Sequence, residues 1–116
     1  MTANAGKALD GLRVLDVTQV MAGPFCAMQL CDMGADVIKV EPPEGDSTRR
    51  IARARGSHSP SFNPANRGKR GVVLNLKAPS ARDALRKLAR RSDVLIENFR
   101  PGVMKNFGLD YEALAA

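Results

Sequence analysis

Four short apolar runs, each bounded by polar or turn-forming residues, most constrain the fold of this chain. They cover residues 13–17, 37–40, 72–76 and 94–96. The runs are largely continuous rather than alternating, which is typical of strands buried on both faces of a parallel sheet. Helical patterns lie between the first two runs and between the last two, and such units connect through right-handed crossovers. The sequence therefore predicts an α/β fold, with a parallel sheet and flanking helices.

Two longer helices are predicted. The first runs from Pro24 to about Met33, and Pro24 suits a first turn, where its missing N–H costs no hydrogen bond. This helix is apolar nearly all round, so it is expected to be largely buried, with Cys26 and Cys31 as small buried thiols. The second helix covers residues 79–92, where apolar residues recur at helical spacing: Ala81, Ala84, Leu85 and Leu88.

The opposite face of the second helix is basic. It is interpreted as a solvated face, in which Asp83 can pair with Lys87 one turn later. A short helix is predicted at residues 103–107, and another follows Asp110, a residue type that caps helices.

Two segments carry no regular pattern. Residues 1–8 are predicted to form a flexible leader, and residues 9–116 the folded part. Residues 44–71 show no persuasive period, only Gly, Ser, Pro, Asn and Arg-rich sequence. A loop of that length inside a compact domain is uncommon and is often functional.

Composition sets the class of protein. The chain has 116 residues, 44% hydrophobic and 26% charged, which is ordinary for one soluble domain. No apolar run approaches the roughly 20 residues that span a bilayer, and no secretory pattern is visible, so the cytoplasm is the expected compartment.

Lys and Arg outnumber Asp and Glu by 18 to 12, and the net charge of +6 attracts anionic partners. The basic residues cluster at 49–55, 67–70 and 82–91.

The segment 93–108 is the strongest candidate for a site. Its apolar strand runs directly into Glu97-Asn98-Phe99-Arg100-Pro101-Gly102. Open α/β sheets bind ligands at the carboxyl ends of their strands, so these groups indicate a binding loop. Turn chemistry with one surface cation is the alternative, and this segment alone does not separate the two.

Other motifs point less clearly to a function. The turn after the first run has the single glycine Gly23, so it lacks the G-x-G-x-x-G of a dinucleotide site. His58 beside Ser57 is not expected to be catalytic, because triads assemble from separate segments. With one histidine in the chain, a zinc site is not expected. Residues 66–70 are interpreted, by a small margin, as a solvated connector rather than a phosphate- or nucleic-acid-binding patch.

Taken together, these segments closely resemble the N-terminal part of the class III CoA-transferase family, which includes formyl-CoA transferase and carnitine dehydratase-like proteins. The resemblance extends from about Leu9 to Leu114. Its pieces occur in the family's order at residues 9–16, 22–25, 34–43, 45–49, 66–70, 74–77 and 93–108. Each piece is weak alone, and the ordered set is specific.

The resemblance implies an enzyme that moves CoA from an acyl-CoA to a carboxylic acid. It implies a Rossmann-like large domain, an interlocked homodimer, and no metal or redox cofactor, with coenzyme A entering as substrate. The family's nucleophile is an aspartate that attacks the thioester, a role suited to a carboxylate. No aspartate of this chain matches that position, which is expected beyond Ala116. The chain is therefore expected to be an incomplete portion of the large domain, inactive alone and prone to self-associate through its unfinished sheet.

The resemblance also implies a CoA-binding site, in three segments. Val20, Met21 and Ala22 correspond to the turn near the pantetheine and thioester. Leu74, Asn75 and Lys77 correspond to a segment beside the adenosine, and Asn98, Phe99 and Arg100 to the loop along the CoA backbone. A lysine or an arginine in these segments suits a phosphate.

Four positions depart from family members: Met21, Pro42, Asn75 and Asn106. They leave the acyl donor and acceptor open. A racemase or isomerase on the same fold is one alternative. The other is a basic module that binds nucleic acid without chemistry, which is disfavoured because few aromatic residues lie among the basic clusters.

Overall fold

The structure is a computed structural model, and it describes residues 6–51 and 59–116. His58, Arg53 and Arg55 lie outside the described residues, as do residues 1–5 of the predicted leader.

A four-stranded, entirely parallel sheet organises the chain, with the strand order β3-β2-β1-β4. The strands are β1 (Arg13–Asp16), β2 (Asp36–Glu41), β3 (Arg70–Val73) and β4 (Val94–Ile96). Leu15 of β1 pairs with Ile38 on one side and with Leu95 on the other. The carboxyl ends of all four strands therefore meet along one edge of the sheet. The predicted α/β class is confirmed.

Five helices and one 3-10 turn connect and cover the strands within the described residues. They are α1 (Ala22–Asp32), α2 (Asn63–Asn66), α3 (Pro79–Ala89), α4 (Val103–Asn106), α5 (Tyr111–Ala115) and the 3-10 turn Ser47–Arg49. Among these helices, none is long and apolar enough to cross a membrane.

Apolar side chains cover both faces of the sheet, because successive residues of a strand point to opposite faces. Val14 packs on one face with Ala27 of α1, Ala35 and Val37. The next residue, Leu15, packs on the other face, in a larger cluster with Val17, Val40, Leu85, Met104 and Leu109. The sheet is thus the middle layer of the molecule, and its carboxyl edge is left open.

The prediction that α1 is largely buried was wrong. Only Gly23, Pro24, Ala27 and Met28 of this helix are buried. Phe25 is 54% exposed and Cys26 is exposed, so the buried-thiol interpretation fails there. The reason is geometric: one face of α1 lies on the sheet, and α2 contacts the helix without covering Phe25 or Cys26.

The segment 44–71 was predicted as an irregular loop, and this was wrong in part. It contains the 3-10 turn and α2, and β3 begins at Arg70. β3 is an edge strand whose residues are mostly exposed, so Arg70 and Gly71 pair with β2 without showing an apolar signal. The predicted run 72–76 overshot the strand, since only Val72 and Val73 of it belong to β3.

Candidate functional site

A cavity of about 480 Å³ lies at the carboxyl edge of the sheet. Val17 and Gln19 after β1, Val40 and Glu41 of β2, and the segment after β3 form its walls. Four residues predicted for the site line it together: Leu74, Asn75, Lys77 and Phe99. Two segments that are distant in sequence therefore meet where the strand ends converge.

A second cavity, of about 790 Å³, lies on the other side of the β1–α1 turn. Its walls include Phe25, Ile51 and the three site residues predicted in the turn, Val20, Met21 and Ala22. Gln19 faces the first cavity and Val20 the second. The turn is thus the wall between the two cavities, and the second has a mainly apolar lining.

Asn98 lines neither cavity but holds the turn. Its Oδ1 accepts a hydrogen bond from the backbone N–H of Gln19 (3.0 Å), and its Nδ2 donates to the carbonyl of the same residue (2.8 Å). This pair of bonds joins the loop after β4 to the turn after β1. Arg100 is exposed and lines neither cavity. Of the predicted site residues, it alone neither lines a cavity nor, like Asn98, binds a residue that does.

Lys77 is exposed at the mouth of the first cavity. Its backbone is fixed on both sides: its N–H donates to Asn75 Oδ1 (3.2 Å), and its carbonyl accepts from Arg82 Nη1 (3.1 Å). Arg82 also binds the carbonyl of Leu76 (2.9 Å). Arg82, near the start of α3, thus places its guanidinium against the backbone of residues 76 and 77, and α3 itself begins at Pro79 without a side-chain cap.

Glu41, at the end of β2, is a buried carboxylate in the wall of the first cavity. Arg49 Nε lies 3.0 and 3.1 Å from its two oxygens and neutralises it. The guanidinium of Arg49 also stacks on the ring of Phe62, 3.6 Å from the centroid. This cation–π contact holds Arg49 in place, and the cavity wall is left without a free buried anion at this point.

Two buried ion pairs lie next to the turn, and neither was predicted from the sequence. Lys69 Nζ is 2.8 Å from Asp16 Oδ2, and Lys39 Nζ is 3.1 Å from Asp46 Oδ2. All four side chains are at most 3% exposed. The interpretation of residues 66–70 as a solvated connector is therefore wrong at Lys69. A lysine inside the apolar strand β2 was the signal available in the sequence, because unpaired lysines are almost never fully buried.

The pairing is reflected in the acidity of these groups. Burial alone would raise the pKa of Asp46, but the hydrogen bonds from Thr48 and Lys39 outweigh it and leave the pKa below its ordinary value. Burial lowers the pKa of Lys69, and the adjacent Asp16 carboxylate opposes that shift. Asp46 therefore stabilises the fold above its unfolded pKa of about 4, and this contribution is lost as the pH falls through its lower folded value.

Several exposed basic residues also form ion pairs. Arg67 lies 2.6 Å from Asp32, and Arg70 lies 2.6 Å from Asp36. On α3, Asp83 pairs with Arg86 at 2.7 Å rather than with the expected Lys87. Much of the second basic cluster is therefore compensated by neighbouring carboxylates, which leaves less free charge for a phosphate backbone.

Val20 has a φ of +75°, the one positive φ at a non-glycine residue in the described ranges 6–51 and 59–116. A β-branched residue rarely adopts this conformation, and it costs about 1–3 kcal/mol. Such strain persists where neighbouring contacts over-determine the backbone.

Replacing Val20 by glycine is expected to raise the free energy of unfolding by about 0.5–1 kcal/mol, because relief of the strain exceeds the entropy cost of glycine. Urea denaturation measures it. The same change at Val73, which is 60% exposed in an edge strand without a positive φ, should lower the stability instead. Two losses of equal size would contradict the strain at Val20.

Comparison with known proteins identifies the family. Residues 9–116 match the family described as CoA-transferase family III. The chain belongs to this family. It is 49% identical, over 115 residues, to succinyl-CoA:mesaconate CoA-transferase of Haloarcula marismortui, and 50% identical, over 107 residues, to acetyl-CoA:oxalate CoA-transferase of Acetobacter aceti. These alignments cover 92% and 91% of the chain, and 28% of each relative.

The solved structures agree with this assignment. A CAIB/BAIF family protein from Brucella suis superposes with a TM-score of 0.88 at 41% identity, covering 94% of this chain and 30% of that one. A short chain dehydrogenase/reductase family protein superposes with a TM-score of 0.50 at 23% identity, which is a likeness of fold alone. The chain therefore spans less than a third of the length of the CoA-transferase relatives cited here, and it shares their α/β sheet.

Proposed function

We propose that this chain is the CoA-binding part of an enzyme that transfers CoA between an acyl-CoA thioester and a carboxylic acid. The observation that carries the proposal is the first cavity, which gathers Leu74, Asn75, Lys77 and Phe99 at the carboxyl edge of a parallel sheet. Ligands of open α/β sheets bind at this edge. The family assignment supplies the chemistry, since the named relatives are CoA-transferases.

The proposed path of CoA follows the charges and the apolar surfaces. The adenosine and its phosphate lie beside the segment 74–77, where Lys77 and Arg82 offer positive charge. The pantetheine passes Phe99 and the loop of Asn98. The thioester reaches the turn of Val20, Met21 and Ala22, and the acyl group faces the apolar second cavity. Arg100, exposed beside this path, is proposed to meet a phosphate or the CoA backbone only when the ligand is bound.

The nucleophile is proposed to lie outside this chain. Asp16 and Asp46 are fully buried and ion-paired, so neither can attack a thioester. No cluster of metal-binding residues occurs in the described part of the chain. The 116 residues are therefore proposed to be inactive alone, and the whole enzyme to act as the interlocked homodimer of its family.

Calorimetric titration of the chain with CoA and with dephospho-CoA tests the proposal. CoA should bind saturably, and loss of the 3′-phosphate should weaken binding. Replacing Lys77 by alanine should raise the CoA dissociation constant at least about tenfold, since a charge-assisted contact contributes about 1.5–3 kcal/mol. The same substitution should leave the dissociation constant for dephospho-CoA nearly unchanged.

Lys87 provides the matched control. It is an exposed lysine on α3 that lines neither cavity, so Lys87→Ala removes the same charge without touching the site. Its CoA affinity should equal that of the wild type. Absence of saturable CoA binding, or equal losses in the Lys77 and Lys87 variants, would overturn the proposed site.

A further inference from the structure

The turn between β1 and α1 is held from below at three successive residues. The N–H of Thr18 donates to Asp16 Oδ1 (2.9 Å), and its carbonyl accepts from Lys39 Nζ (2.9 Å). Gln19 is bound by Asn98 on its N–H and its carbonyl. The N–H of Val20 then points to the carboxylate of Asp46, at 3.3 and 3.4 Å from its two oxygens.

Asp46 is the centre of this arrangement. It is fully buried, and its Oδ1 also accepts from the N–H (3.0 Å) and the hydroxyl (2.7 Å) of Thr48. Its Oδ2 meets the ammonium of Lys39 at 3.1 Å. Each oxygen is thereby fixed in direction, which aims the carboxylate at the N–H of a residue with a strained φ.

This cost in backbone strain does not serve core packing. Val20 is 45% exposed, and its side chain lines the second cavity rather than a core cluster. A buried ion pair is also weak support for stability alone, because apolar residues of similar volume often do as well. Strain and buried charge together at the rim of a cavity indicate a conformation that is maintained for binding.

We propose that Asp46, oriented by Lys39, is a positioning residue that fixes the turn 18–22 for the thioester-bearing end of the acyl-CoA. The inference rests on the proposed function and adds a residue to it. Asp46 lines neither cavity and does not touch the ligand. It acts through the backbone N–H of Val20, and its loss leaves the adenosine end of the site, beside Lys77, in place.

The test separates the two ends of the ligand. Dissociation constants are measured by calorimetry for CoA and for adenosine 3′,5′-bisphosphate, which lacks the pantetheine. Asp46→Asn should weaken CoA binding about tenfold and change the affinity for the bisphosphate by less than about twofold. A purely structural role would lower both affinities by the same factor or leave both unchanged.

A second variant covers the case in which Asp46→Asn does not fold, because that change leaves Lys39 buried and unpaired. In K39M/D46N neither member of this pair is charged, and the asparagine carbonyl can keep the two bonds from Thr48. Its amide group then faces the N–H of Val20 as a second donor. The double variant should fold and should show the same selective loss of CoA affinity.

Asp36→Asn is the matched control. It makes the same substitution at the opposite end of β2, where Asp36 pairs with Arg13 and Arg70. Both affinities should match those of the wild type. If the wild type binds CoA and the Asp46 variants bind it equally well, or lose both ligands alike, the positioning role is overturned while the proposed function stands. If the wild type binds neither ligand, both proposals fail.

Discussion

Replacing Lys69 by methionine is expected to lower the free energy of unfolding by about 3–5 kcal/mol, because the change leaves a buried carboxylate without its partner. The ammonium of Lys69 binds three acceptors: Asp16 Oδ2 (2.8 Å), the carbonyl of Pro24 (2.9 Å) and Asn66 Oδ1 (2.8 Å). Asp16 has no exposed surface, so water cannot replace the ammonium. Urea denaturation followed by circular dichroism measures the loss.

Arg70→Met is the control for this prediction. Arg70 is the next residue and also pairs with an aspartate, Asp36, but its side chain is 63% exposed. Exposed pairs contribute about 0–1 kcal/mol, so the loss should be small. The double variant D16N/K69M should recover much of the stability lost in Lys69→Met, since neither member of this pair is then charged. A loss below about 1 kcal/mol in Lys69→Met would show that the pair is not buried as described.

The fold was predictable because its signals are local. The apolar runs at 13–17, 37–40 and 94–96 predict β1, β2 and β4. The helical spacing of Ala81, Leu85 and Leu88 predicts α3. The edge strand β3 gave a weaker signal, since Arg70 and Gly71 contribute only backbone hydrogen bonds. The exposed face of α1 could not be predicted from the sequence, because its exposed apolar residues, such as Phe25, are of the same types as core residues.

The candidate site was predictable only in part. Polar groups after a strand indicate a ligand edge, and family resemblance selected the residues; the structure brings Leu74, Asn75, Lys77 and Phe99 together. Lys69 and its partner Asp16 are 53 positions apart, and Lys39 donates to the carbonyl of Thr18, 21 positions away. Such contacts depend on how the strands pack, so residue type alone does not reveal them. The positive φ of Val20 likewise could not be predicted, because valine rarely adopts this conformation.

Replacing Gly23 by alanine is expected to lower the free energy of unfolding by about 1–3 kcal/mol or more, because there is no room for the added methyl group. A Cβ on Gly23 would lie 2.3 Å from Cβ and 2.4 Å from Cγ2 of Thr18. Carbon atoms pack at about 3.5–4.0 Å, so α1 would have to move away from β1. Thr18 cannot yield, since it is fully buried and its hydroxyl is bonded to Asp16.

Helix propensity alone predicts that Gly23→Ala is stabilising, so the sign of the change in stability separates the two effects. Gly23 lies in the first turn of α1, and alanine is favoured over glycine inside a helix by about 1 kcal/mol. Gly71→Ala adds the same methyl group in β3, where nothing lies within 4 Å, so it should be neutral or stabilising. Thermal unfolding of the two variants compares them directly.

If Gly23→Ala is as stable as Gly71→Ala, then α1 does not approach the turn as closely as described. If it is less stable and also binds CoA more weakly than it binds adenosine 3′,5′-bisphosphate, the close approach of helix and turn serves the thioester end of the site, as the contacts of Asp46 do from the other side.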